Sequence, residues 1–236
     1  MGEKTVEITL GTEDFPLSWD GLKLSDSVRA DMNIKFGIAS ALPVSIGGEF
    51  EMTSGTINFE TFEVYKLAAT VMFGASENYI GAAIGTRFGE FDMAGGIFLG
   101  RSCDLDPLLL IDPLVASVVP TSSLTGIYAY GEAPFPIFGT GTCLFNISAK
   151  AGAGVLYFAE GPTYGGRMTL GIYGEALCAV EVGGEVSLAG TKSGDTYNFA
   201  GYGRVFGQAG KCPICVKANF QVDFLYTDLG GWQVDY

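Results

Sequence analysis

Cys212-Pro213-Ile214-Cys215 is the best-spaced pair of reactive residues in this chain. Two thiols so close can form a local disulfide, half of a metal site or a redox centre. A redox centre of the thioredoxin kind needs a helix after the second cysteine to lower the thiol pKa, whereas Val216 to Tyr226 alternates as a strand does. A four-ligand zinc site would have to gather two distant thiols from Cys103, Cys143 and Cys178, because the chain has no histidine. The pair Cys212 and Cys215 therefore reads as a tight disulfide or as two buried thiols.

The carboxylates offer the next chemistry. Asp104, Asp106 and Asp112 could hold calcium. However, Asp106-Pro107 and Asp112-Pro113 each place an N-capping carboxylate before a proline at the first helical position, which accounts for two of the three. Glu175, Glu181 and Glu185 share one strand face, and Glu181 and Glu185 lie about 13 Å apart along an extended strand, too far for a glycosidase pair. They read as a solvated outer face. Without histidine there is no Ser-His-Asp, Cys-His or imidazole-metal catalysis. The expectation is a non-enzymatic protein with no cofactor and no metal.

Period-two alternation supplies the elements that would position these groups. Val6, Ile8 and Leu10 alternate with Thr5, Glu7 and Thr9. Met168, Leu170, Ile172, Val180, Val182, Val186 and Leu188 fall on one parity, and Arg167, Thr169, Glu175, Glu181, Glu185 and Ser187 fall on the other. Turn chemistry at Gly95-Gly96, Gly161-Pro162, Gly165-Gly166, Ser193-Gly194-Asp195 and Gly230-Gly231 cuts the chain into roughly a dozen long strands. This pattern predicts an all-β fold, a large antiparallel meander closing into a soluble β-barrel, with a β-sandwich as the alternative.

One stretch breaks the pattern. Residues 104–119 predict a short apolar helical insert carrying Leu108, Leu109, Leu110, Ile111, Leu114 and Val115, packed at or inside the barrel. Small residues at mid-strand on the apolar parity (Gly174, Ala176, Gly184) suit a crowded interior more than a lipid-facing wall, so the apolar flank is expected to turn inward. The end of the chain, Gly231-Trp232-Gln233-Val234-Asp235-Tyr236, resembles the aromatic-terminated last strand of bacterial outer-membrane barrels and keeps that reading as an alternative.

The totals set outer bounds. With 236 residues, 48% hydrophobic and no linker-like segment, the chain is expected to form a single domain over 1–236 with a substantial core. A net charge of −13 with 13 scattered basic residues excludes a nucleic-acid surface. Met1-Gly2-Glu3-Lys4 leads straight into alternation, so no signal peptide is expected in these residues, which says little about compartment. The longest apolar runs fall well short of the ~20 residues of a helical span, so membrane spanning is not the first expectation.

The segments GGIFLGRSCDLDPLLLIDPLVASV, FAEGPTYGGRMTLGIYGEALCAVEVGGEV and KCPICVKANF resemble the C-terminal β-rich domain of very large uncharacterised bacterial cell-surface proteins, over roughly Gly95 to Tyr236. The resemblance implies a secreted or cell-surface location and transfers no catalytic residue or ligand. Together with the pattern it predicts an extracytoplasmic structural or assembly module that self-associates or meets a protein partner at the cell surface. A barrel carrier for a small hydrophobic ligand is the second reading, and an outer-membrane β-barrel the third.

Overall fold

Alternation carries most of the chain into strands, and most of these are long. A computed structural model describes residues 5–15, 18–19, 22–23, 27–37, 43–54, 56–58, 62–88, 91–139, 144–177, 179–210 and 215–235. The elements are β1 (Thr5–Phe15), β2 (Ser18–Trp19), β3 (Leu22–Lys23), β4 (Ser27–Gly37), β5 (Pro43–Ser54), β6 (Ile57–Asn58), β7 (Glu63–Gly74), β8 (Asn78–Phe88) and β9 (Phe91–Ser102), then α1 (Asp106–Ile111) and α2 (Pro113–Ala116). They continue with β10 (Leu124–Gly139), β11 (Phe145–Phe158), β12 (Thr163–Ala176), β13 (Val180–Ser193), β14 (Thr196–Ala209), β15 (Val216–Thr227) and β16 (Gly231–Asp235).

One 14-stranded sheet runs β1-β4-β5-β7-β8-β9-β10-β11-β12-β13-β14-β15-β16, with β6 attached to β7 and a separate β2-β3 hairpin. Neighbours pair antiparallel, as hairpin connections require. The meander is therefore present, as one continuous sheet instead of the two packed layers of a sandwich. Among the described residues no ladder joins β1 to β16, so the sheet is not closed by hydrogen bonds. The two-residue turn between β13 and β14 depends on Gly194, whose φ of 58° lies where a side chain is disfavoured.

The sheet must curl, because one short insert touches strands far apart in it. β7 and β14 are seven places apart in the order, roughly 34 Å in a flat sheet at about 4.8 Å per step. Yet Lys66 on β7 donates to the Ile111 carbonyl at 3.4 Å, and Asn198 on β14 donates to the Val118 carbonyl at 3.2 Å. Ile111 and Val118 are only a few residues apart, so the wall bends around α1 and α2, which lie on its concave side.

Leu108, Val115, Val118, Phe98, Leu124, Tyr128 and Phe158 form the buried core there. Gly81 and Gly96 let α1 approach the wall, since a Cβ on either would stand 2.6 Å from an Ile111 methyl. Gly96→Val should therefore destabilise the fold by about 1–3 kcal/mol through overpacking. In denaturant titrations Gly96→Val/Ile111→Ala should be more stable than the two separate losses add up to, as contacting residues couple.

Candidate functional site

The two parities of the wall face opposite ways, and their assignment reverses the sequence expectation. Met168, Leu170 and Ile172 on β12 are 57%, 61% and 56% exposed on the convex side. Val155, Val182, Val186, Leu188 and Val205 on the neighbouring strands share that side through the register. The small residues Gly174, Ala176 and Gly184 are also outward. There they alternate with large neighbours across the ladder, Ile172 opposite Gly184 and Gly184 opposite Val205.

Aromatic residues mark one end of this apolar face across β11 to β16 and, among the described residues, the other end on β10 and β11 alone. At the end beyond α1 and α2 stand Tyr157, Tyr164, Tyr197, Phe199 and Trp232; Tyr157 packs at a tilt against Tyr164 with ring centroids 5.2 Å apart. At the opposite end Phe138 meets Phe145 at 5.9 Å, and Phe135 is exposed beside them. From Phe145 to Tyr157 on β11 is twelve residue steps, about 30 Å across the band at ~3.3 Å per step and a ~40° tilt.

The concave side carries the charges. Lys150, 4% exposed in its side chain, lies 2.6 Å from Glu185 and 3.5 Å from Glu132, and donates to the Asp92 carbonyl at 2.8 Å. Arg167 pairs with Asp112 at 2.8 Å, donates to Ser187 at 3.0 Å and stacks over the Tyr130 ring at 4.3 Å. Glu132, itself 3% exposed, also accepts the Tyr130 hydroxyl and the Ala94 amide, while Tyr202 donates to Glu185 at 2.5 Å. Thr169 and Ser187, 2.9 Å apart, complete the layer.

Each buried carboxylate is thus held by a cation and further donors, the arrangement that makes buried charge tolerable. The network ties Asp112 on the insert to β10 through Tyr128 and to β12 through Arg167. On its other side the concave face opens into a chamber of about 440 Å³, lined by Arg87, Asp92, Glu181, Arg204 and Lys217 among others. At the insert end, Ser123 donates to Glu160 at 2.9 Å; this bond, with Arg101 3.4 Å away, holds the Glu160 carboxyl below the usual carboxylate range.

Most of the predicted insert is where the sequence placed it. Leu108, Ile111 and Val115 are buried, Leu110 and Leu114 pack against the core from half-buried positions, and Leu109 is exposed. Asp112 caps α2 through the Val115 amide at 3.2 Å, as expected. Asp106 does not cap α1: the cap is Leu105, and Asp106 sits inside the first turn with its amide bonded to Asp104.

Glu175, Glu181 and Glu185 line the concave side instead of a solvated exterior, because their parity follows Lys150 and Arg167. Cys215 is disulfide-bonded; Cys212 lies outside the described residues. Cys103 is a free, exposed thiol. Periodicity alone does not reveal the polar network, because its members are spread over five strands and the insert. The available signal was tyrosine on the charged parity, at Tyr128, Tyr130, Tyr173 and Tyr202, where a solvated face has little use for large rings.

No protein-family model, curated protein or solved structure matches this chain. Among the described residues no helix is long and apolar enough to cross a membrane, which bears on helices alone. The arrangement defines a curled antiparallel sheet with an apolar convex face, a charged concave face and a short helical insert packed on that concave face.

Proposed function

We propose that this chain is a membrane-spanning β-barrel of the outer-membrane type, a non-enzymatic structural module at the cell surface whose lumen is filled by its own insert. The observation that supports this most is the inversion of the wall. Leucine, isoleucine and methionine stand more than half exposed while Lys150 and Glu132 are almost wholly buried. In water this face would exceed the apolar patches that soluble monomers carry. In a bilayer the same residues meet acyl chains, and the two aromatic rims meet the headgroup layers.

The estimated ~30 Å between rims matches a hydrocarbon core. A disulfide at Cys215 suits an oxidising, extracytoplasmic compartment. The insert and the ion network occupy part of the concave side beside the chamber, which favours an anchoring role over that of a diffusion pore.

Purification with and without detergent tests the reading. The expected protein is monodisperse only in detergent or lipid. Unboiled, it migrates faster on SDS gels than the boiled form, as a closed barrel does, and after reconstitution it floats with vesicles through a carbonate wash. A monodisperse, lipid-free monomer in plain buffer would overturn it.

A further inference from the structure

We infer that the outer face holds a defined site for one anionic membrane lipid, with an acyl chain in a break of the aromatic rim and the phosphate at Lys192; this rests on the membrane-spanning reading. The ladder aligns the outward residues into rows. Tyr157, Tyr164, Lys192 and Tyr197 stand directly opposite one another across β11 to β14. The next row toward the band is Gly166, Gly190, Phe199, Tyr226 and Trp232. The rim is aromatic from Phe199 to Trp232, the Phe199 ring leans over Gly190, and the row is bare at Gly166.

That gap is the upper part of a groove of about 510 Å³, walled by Tyr164, Tyr197 and Phe199 and continued by Met168 and Leu188. Its glycines are required. A Cβ on Gly190 would stand 2.8 Å from the Phe199 ring, and one on Gly166 would stand 2.2 Å from the Gly154 carbonyl oxygen. The groove is apolar and narrow, which suits a hydrocarbon chain lying along the wall.

Charge selects the headgroup. Among the described residues the outward parity of β7 to β16 carries two cations, Arg101 and Lys192, and no carboxylate. Arg101 already faces Glu160 at 3.4 Å. Lys192 lies 5.2 Å over the Tyr197 ring, bonds the Tyr197 hydroxyl and feels Asp195 of the β13–β14 turn, but makes no salt bridge among the described residues. It stands at the rim, where a lysine extends to the interface and its ammonium, beside the Tyr197 hydroxyl, can meet a phosphate.

Native mass spectrometry of the detergent-purified protein, mixed with equal dioleoyl phosphatidylglycerol and dioleoyl phosphatidylcholine, tests this. The wild type should retain one phosphatidylglycerol in about fivefold preference, the value of one interfacial lysine. Lys192→Gln should bring the ratio near one, and Lys192→Arg should restore it. Equal retention by the wild type, an unchanged ratio in Lys192→Gln, or a lipid-free dimer that covers the groove would overturn the site while leaving the barrel intact. Solubility without detergent would instead remove the barrel reading itself.

Discussion

Replacing Leu170 by arginine lowers the unfolding free energy in lipid by about 2–4 kcal/mol, the cost of a cation on the outer face of a barrel at mid-bilayer. Leu170 lies midway along β12, outward and 61% exposed, six positions from the rim residue Tyr164 and six from the strand end at Ala176. Were the convex face in water, the same change would remove an exposed leucine and shift stability by no more than about 0.5 kcal/mol. Urea unfolding of the reconstituted variant, read by tryptophan fluorescence, separates the two. Lys192→Arg, at the rim, should stay near wild type in the same assay, because it only exchanges one interfacial cation for another.

Lys150→Met carries the second large effect. The methionine keeps most of the volume but leaves Glu132 and Glu185 facing each other's layer without the cation between them, and breaking a buried pair by removing one partner costs roughly 3–5 kcal/mol. Adding Glu185→Gln should recover part of the loss, since one stranded charge disappears. The double-mutant cycle, measured by the same unfolding titrations, gives the coupling. Lys150→Met with wild-type stability would mean that the two carboxylates do not depend on this ammonium.

These two experiments probe opposite sides of one strand pattern. Leu170 and Lys150 reflect the same alternation, yet one stands exposed on the convex side and the other is buried among charges. The interior contacts explain why the polar side can turn inward at all. Arg167 is shared by Asp112, Ser187 and the Tyr130 ring, and Thr169 closes the gap to Ser187, so few polar atoms are stranded.

The amino-acid sequence determined the all-β class, the meander and the insert, because these follow from the alternation and turn chemistry of residues 145–209 and from the capping and apolar run of residues 104–119. Asp112 as a cap and Leu108, Ile111 and Val115 as buried residues were equally legible, since capping and helical burial are settled within a few positions. Tertiary structure decided which flank faces out. Alternation is symmetric between a wet exterior and a lipid one, and glycine and alanine at Gly174, Ala176 and Gly184 suit a tight interior as well as a grooved outer wall. Only the meeting of Lys150, Glu132, Arg167 and Asp112, drawn from β10, β11, β12 and the insert, breaks that symmetry: ions far apart in the chain neutralise one another only once the sheet has curled to bring them together.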